Sequence, residues 1–202
     1  MNQPPQIIVL ATRNPGKIAE LAVRLEQLSI EVISAADIPN APDVVEDAGS
    51  LQGNAEKKAK ALFDETGLPS LADDTGLEVD ALDGAPGVYS ARFAGPESDE
   101  RANRAKLLTA IKNADDRSAR FRTALAFIDE AGTHFFDGVC EGKITDSERG
   151  SGGFGYDSIF QPLEGGGRTF AEMSDADKNR ISHRGRALEQ FVAFLVTRGE
   201  VA

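Results

Sequence analysis

The sequence predicts an α/β fold with a mixed sheet, on three observations. Short apolar runs alternate with segments of helical periodicity in the first half of the chain, two long β-like runs joined by a short turn follow, and the chain closes on a further amphipathic helix. Residues 7–10 are an apolar run that reads as a strand. After the polar stretch 12–17, Ile18, Leu21, Ala22, Leu25 and Leu28 recur at helical spacing, with Asn14 suited to cap that helix and Pro15 to its first position, where a missing N–H is harmless. Residues 30–34 read as a second strand. Ser50 opens a helix whose Leu51, Ala55, Ala59 and Leu62 share a face up to Gly67. Leu77, Val79 and Ala81 alternate with Glu78 and Asp80 as in a half-exposed strand, which a turn at 84–87 ends. The next helix is expected over 99–114 with Ala102, Ala105, Leu108 and Ile111 inward. A long antiparallel hairpin is expected over 119–145, turning at Glu130-Ala131-Gly132, and it makes the sheet mixed. A glycine-rich loop at 150–155 leads into a strand-like run at 156–160, and the last helix carries Leu188, Phe191, Val192 and Leu195 on one side.

No repeat, low-complexity tract or linker divides the chain, and 202 residues fit one domain, taken as 1–202. With 22 Lys+Arg against 33 Asp+Glu the net charge is −11, a field that repels nucleic-acid duplexes. An apolar content of 41% lies well above the range of disordered chains. Cys140 is the only cysteine, and with His134 and His183 it cannot build a structural zinc site or an intrachain disulfide, so a reducing cytoplasmic setting is expected. The first residues lack a basic n-region, and no apolar run approaches the roughly 18 residues of a membrane span. A soluble, unprocessed protein without a membrane partner is the expectation.

Five segments carry possible chemistry. Thr12-Arg13-Asn14-Pro15-Gly16-Lys17, between a strand and a helix, aims backbone N–H donors and a cation at one point, which suits an anion. It lacks the first glycine and the Ser/Thr of a Walker loop, and the alternative is a capped helix with a solvated Lys17. Asp73-Asp74-Thr75-Gly76 puts paired carboxylates after a short apolar run and before a glycine that permits a turn. Adjacent strand side chains face opposite ways, so both reach one ion only if the backbone bends; otherwise one is structural. Oxygen ligands without His or Cys suit Mg²⁺. Glu46 and Asp47, ahead of the Ser50 helix, either favour its dipole or supply a further ligand, and Lys57 or Lys58 on that helix can meet phosphate oxygens. Residues 150–155 satisfy GxGxxG, but they lie late in the chain and lead into a strand-like run rather than opening a helix, so a dinucleotide site is rejected. What remains is a flexible loop presenting Phe154 and Tyr156 beside Asp157, able to stack an aromatic on a planar ring, or else a hairpin-like loop with a core Phe. Lys178, His183 and Arg184 bring three cations together near the start of the last helix, where His183 can donate to phosphate or to a base carbonyl.

In this order and spacing the segments, with Gly84-Ala85-Pro86-Gly87-Val88-Tyr89-Ser90-Ala91-Arg92 between them, resemble the inosine/xanthosine triphosphate pyrophosphatase family over essentially the whole chain. The resemblance implies a mixed, twisted central sheet flanked by helices in two lobes with a cleft between them, a homodimer, and Mg²⁺-dependent cleavage of non-standard purine nucleoside triphosphates to monophosphate and pyrophosphate. By motif, Thr12, Arg13, Asn14, Pro15, Gly16 and Lys17 hold the triphosphate, Asp74 is base and metal ligand, Glu46 a second metal ligand and Thr75 a substrate contact. Lys58 is chosen over Lys57 because it directly precedes the Ala of the family's Asn-Ala…Lys-Ala pattern. Phe154, Gly155, Tyr156, Asp157, Lys178, His183 and Arg184 surround base and sugar. Asp47-Ala48 before Gly49 departs from the family's usual Glu-Thr, a difference that bears on Glu46.

Discrimination is expected at the purine 6-position, where donors accept a 6-oxo group and oppose the 6-amino group of adenine. Two other readings use similar parts: a pyrophosphatase of modified pyrimidine nucleotides, and a nucleotide-binding module without turnover. The paired acids argue against the second, since carboxylates repel a triphosphate unless a cation intervenes.

Overall fold

The computed structural model of the chain describes residues 7–26 and 28–199. In chain order they form β1 (Ile7–Leu10), α1 (Pro15–Glu26), β2 (Glu31–Ser34), α2 (Leu51–Thr66), β3 (Ser70–Val79) and β4 (Pro86–Gly87). There follow α3 (Glu100–Ala110), β5 (Ser118–Asp129), β6 (Gly132–Ile144), β7 (Phe160–Pro162), α4 (Asp175–Ile181) and α5 (His183–Thr197). Two compact units result. One comprises the described residues of Met1–Asp74, Ala124–Asp137 and Ala187–Ala202; the other is Thr75–Thr123 with Gly138–Arg186. Strands β3, β5 and β6 contribute residues to each. Among the described residues no helix is long and apolar enough to cross a membrane.

In the first unit the strand order is β2-β1-β3-β5-β6, with β1 parallel to β2 and to β3. Side chains alternate between the faces of a strand, and the core follows that period of two. Ile8, Leu10, Leu71, Leu125 and Phe127 pack with Leu21 and Leu25 of α1 and with Leu188, Phe191 and Leu195 of α5. Their neighbours point the other way, Ala72, Ala126 and Ile128 against Ala55 and Ala59 of α2 and Val9 against Leu62. Helices α1 and α5 therefore cover one face and α2 the other. Fully buried side chains such as Phe127 and Phe191 contribute about 1.5–3 kcal/mol each. Asn14 caps α1, its Oδ1 accepting from the N–H groups of Gly16 at 2.9 Å and Lys17 at 3.2 Å. Ser50 caps α2 by accepting from the Gly53 N–H, and the helix ends before Gly67 as expected.

In the second unit β3 pairs with the short β4, placing Leu77 opposite Gly87, and β6 pairs antiparallel with β7. Leu77, Val79, Phe121, Cys140 and Ile144 pack with Leu107 and Ile111 and with Tyr156, Ile159, Phe160 and Phe170. The intervening residues are charged, and Arg120 reaches Glu78, Asp80 and Glu141.

Four expectations are corrected. Residues 73–76 do not end a strand: β3 runs unbroken from Ser70 to Val79, and Gly76 sits where β4 presses in, a Cβ there falling 2.6 Å from the Gly87 carbonyl oxygen. Ala81 lies in a short 3-10 turn, Asp80–Leu82. Helix α3 buries Asn103 and Leu107, with Ile111 buried just beyond its end, rather than Ala102 and Ala105, because Asn103 donates to the Ala91 carbonyl at 2.8 Å and accepts from the Ala94 N–H. Residues 156–159 form turns, and only Phe160 begins a strand.

Candidate functional site

The predicted residues fall into two polar groups, one in each unit. In the first, the period of β3 separates the paired acids without any bend. Asp73, on the face of Leu71, turns toward α1, where its Oδ2 lies 3.0 Å from the Lys17 ammonium; its side chain is wholly buried. Asp74, on the face of Ala72, turns toward α2. Its Oδ1 meets Lys58 Nζ at 3.2 Å and its Oδ2 accepts from Asn54 Nδ2 at 3.0 Å. Lys58 also donates to Glu46 at 2.8 Å. The two acids thus hold two different lysines, and Glu46 joins Asp74 rather than acting as a mere dipole partner of α2. Lys57 lies outside this group: it donates to the Val45 carbonyl and pairs with Asp47 at the surface. Lys58, not Lys57, is the lysine that meets both Asp74 and Glu46.

Three carboxylates stand here against two ammonium groups in poorly solvated surroundings, and the titration behaviour reflects that excess. Burial by itself depresses the Lys58 ammonium, but Asp74, Asp73 and Glu46 outweigh it and its pKa is raised. Asp74 also lies above its ordinary value. Burial is the largest cause and Glu46 adds to it, against the lowering effects of Lys58, the Asn54 bond and Lys17.

The loop before α1 differs in one respect from expectation. The N–H groups of Gly16 and Lys17 are taken by Asn14, and that of Asn14 by Thr12 Oγ1 at 3.2 Å, so these three backbone donors are already engaged. Pro15 brings no N–H. Arg13 pairs with the exposed Asp43 and donates to the Ala41 carbonyl at 2.9 Å. A surface pair of this kind is worth at most about 1 kcal/mol and yields readily to a stronger anion.

In the second unit, the loop 150–155 is packed rather than flexible. The Gly152 N–H donates to the Ala171 carbonyl, and a Cβ on Gly150 would lie 2.4 Å from that same oxygen. Gly153 has φ +70°, and a Cβ on it would fall 2.1 Å from Asp157 Oδ2, so only glycine lets the carboxylate fold back on the loop. Asp157 there accepts from the Phe154 N–H at 3.0 Å and from Lys178 Nζ at 2.8 Å. Lys178 stands 4.9 Å from the centre of the half-buried Phe154 ring and Arg184 5.7 Å. Arg184 also donates to Thr75 Oγ1 at 3.2 Å, and Thr75 shares a hydrogen bond with Thr123. His183 is buried and stacked on Phe121 with ring centres 4.5 Å apart. The Gly155 carbonyl accepts from Arg104 at 2.7 Å. Tyr156 goes inward: its ring joins the core, its hydroxyl donates to the Ser90 carbonyl at 2.8 Å, and burial pushes its pKa up. Of the two aromatics predicted to stack on a ring, only Phe154 stays at the surface of its unit.

Asn54 and Arg104 were not picked out by the sequence reasoning. For Asn54 a signal exists, since Asn54 and Lys58 are polar residues one helical turn apart, each adjoining an alanine of the apolar stripe of α2. Arg104 has no such signal, being one of several exposed-looking charges on α3.

The chain is 48% identical over 184 residues to the dITP/XTP pyrophosphatase of Geobacter sulfurreducens, covering 90% of this chain and 92% of that protein. It is 48% identical over 190 residues to the dITP/XTP pyrophosphatase of Porphyromonas gingivalis, covering 94% of this chain and 97% of that one. Among solved structures, a HAM1 protein from Coxiella burnetii superposes with a TM-score of 0.86 at 41% identity, over 95% of this chain and 98% of that chain. The model of the Ham1 family matches residues 8–194, a stretch that runs from β1 into α5 and contains every member of both polar groups, and the chain belongs to the Ham1 family.

Proposed function

We propose that this chain hydrolyses the non-standard purine nucleoside triphosphates dITP, ITP and XTP to nucleoside monophosphate and pyrophosphate, with Mg²⁺ as cofactor, as a single-domain cytoplasmic homodimer that takes neither a nucleic-acid duplex nor a membrane as partner. The names of its relatives support the substrate class. The observation that carries the chemistry is the Asp74 carboxylate, buried and held at both oxygens, sharing one ammonium with Glu46.

The residues present fit a magnesium ion. Glu46 and Asp74 reach a common cation, they are hard oxygen donors, and the group carries more negative than positive charge. Among the described residues no cluster of three or more His, Cys, Asp or Glu could hold a metal unaided. Two carboxylates leave positions for phosphate oxygens, which is how Mg²⁺ is ordinarily held beside a nucleotide. When bound, the ion supplies positive charge to the phosphate oxygens at which negative charge builds up.

The chain's own residues do the rest. Asp74 offers its buried carboxylate as the proton acceptor for an attacking water. Lys58 and Asn54 keep its two oxygens from turning. Lys17, drawn in by Asp73, and Arg13 take the phosphates, alongside Thr12, Asn14, Pro15 and Gly16 of the same loop. Thr75, Phe154, Gly155, Tyr156, Asp157, Lys178, His183 and Arg184 form the contacts to base and sugar, Tyr156 through the backbone it anchors. Positioning and charge compensation of this kind provide most of the acceleration in phosphoryl chemistry.

A panel of dITP, XTP, ITP, dGTP, dATP and modified pyrimidine triphosphates tests the reading, with products separated as monophosphate plus pyrophosphate or diphosphate plus phosphate. Turnover of dITP and XTP to monophosphate and pyrophosphate, lost on chelation of divalent ions, is expected. Binding without turnover, release of orthophosphate, or undiminished activity in excess chelator would overturn it. Lys17→Ala is expected to weaken dITP binding by tenfold or more in equilibrium titrations, as loss of a charge-assisted contact requires. An unchanged affinity would leave the loop as a helix cap and nothing more.

A further inference from the structure

Asn54 touches two things at once. It is almost wholly buried on α2, with 1% of its surface exposed. Its Nδ2 donates to Asp74 Oδ2 at 3.0 Å, and its Oδ1 accepts from the Ala48 N–H at 3.0 Å. Ala48 belongs to the irregular segment between Asn40 and Ser50, which has no strand or helix of its own and which carries Glu46. The primary amide offers a donor and an acceptor from a single uncharged planar group. One helical turn further on, Lys58 also reaches Asp74, at 3.2 Å, and reaches Glu46 of the same segment at 2.8 Å. Strand β3 and the 40–50 segment are therefore tied together twice from α2, once by an ammonium and once by an amide.

We propose that Asn54 is a positioning residue for hydrolysis, orienting the second oxygen of Asp74 while fixing the segment that presents Glu46. The assignment rests on the function proposed above. A carboxylate held by Lys58 alone can still swing about that single contact; the Asn54 amide fixes its plane. A hydrogen bond to a charged acceptor in a buried place is strong enough that losing it changes a rate by tenfold or more. Because Asn54 touches neither nucleotide nor phosphate in this assignment, its loss acts on kcat and leaves KM nearly as it was.

Two full-length variants separate the two halves of the amide. Asn54→Asp keeps an acceptor for the Ala48 N–H but sets an oxygen where Asp74 needs a donor, whereas Asn54→Leu removes both. Steady-state hydrolysis of dITP with Mg²⁺, amide hydrogen exchange at Ala48 and thermal unfolding are measured for each. For Asn54→Asp the expected result is a kcat reduced tenfold or more, a KM within about threefold of the parent, and undiminished Ala48 protection. For Asn54→Leu a similar fall in kcat is expected together with lost protection at Ala48. A kcat within threefold of the parent in a folded Asn54→Asp overturns the assignment, as does a KM that rises in step with the fall in kcat/KM. Failure of both variants to unfold cooperatively would make Asn54 a core residue only and also overturns it. If the parent itself does not hydrolyse dITP, the proposed function has failed instead, and exchange at Ala48 still reports whether the amide ties the segment.

Discussion

Asp74→Asn is expected to lower kcat for dITP by a factor on the order of 10³, within the range that positioned acid–base groups contribute. The same substitution separates the chemistry of this residue from its effect on stability. The carboxyl of Asp74 is raised above its ordinary value, chiefly by burial. A carboxyl with a raised folded pKa stabilises the protein in its protonated form. That contribution is complete below the unfolded value, near about 3.9, and is lost as pH rises through the folded value. Asparagine does not titrate, so the melting temperature of Asp74→Asn relative to the parent should climb as pH rises across that interval in metal-free buffer. The lost Asn54 bond subtracts from the variant at every pH and does not alter the trend. A melting temperature that instead falls relative to the parent as pH rises would mean that Asp74 is stabilised as the anion, contrary to the burial argument.

That dual character shows why part of the site was legible in the residues and part was not. The start of the chain read correctly because its signals are local. An apolar run, Asn14 as a cap and Pro15 at the first helical position dictate strand, loop and helix whatever lies around them. Ser50 and Gly67 bracket α2 for the same reason. The family resemblance, carried by five short motifs in order, is borne out by the match to the Ham1 model. Strand β3 failed the local test. Two adjacent aspartates argue against a strand interior, yet the lysines that α1 and α2 bring to either face, with Asn54, make their burial tolerable. Asn103 misled in the same manner: two alanines looked more apolar than an asparagine, yet the backbone groups of Ala91 and Ala94 satisfy the amide and turn it inward. Tyr156 and Ile159 read as strand because apolar runs of that length commonly are, whereas the positive φ of Gly153 and Gly155 folds the chain into turns. For the paired aspartates the deciding partners are distant in sequence and close in space.

Lys178→Met is expected to have the largest effect on stability. Lys178 and Asp157 are both nearly sealed from solvent, with side-chain exposures of 5% and 6%, and their atoms lie 2.8 Å apart. Methionine keeps the length of the stem and removes the charge, leaving the Asp157 carboxylate buried without its ammonium. Breaking a buried pair from one side costs about 3–5 kcal/mol. For a chain of this size that corresponds to a fall of roughly 6–20 °C in melting temperature. Removing both charges is a different experiment. In Lys178→Met with Asp157→Asn, the amide oxygen can still accept from the Phe154 N–H, and no uncompensated ion remains. The double variant should therefore recover most of the lost stability, and the coupling in the cycle should have the sign of a favourable pair. Recovery of stability should not restore hydrolysis of dITP if Lys178 serves the base, because the Phe154 ring then lacks the ammonium 4.9 Å from its centre and the base lacks a cationic donor. Full recovery of both properties would reduce the pair to a structural fastening of the glycine-rich loop. Recovery of neither would show that the ammonium holds more of the second unit than Asp157 alone, including the Phe170 ring 5.7 Å from it.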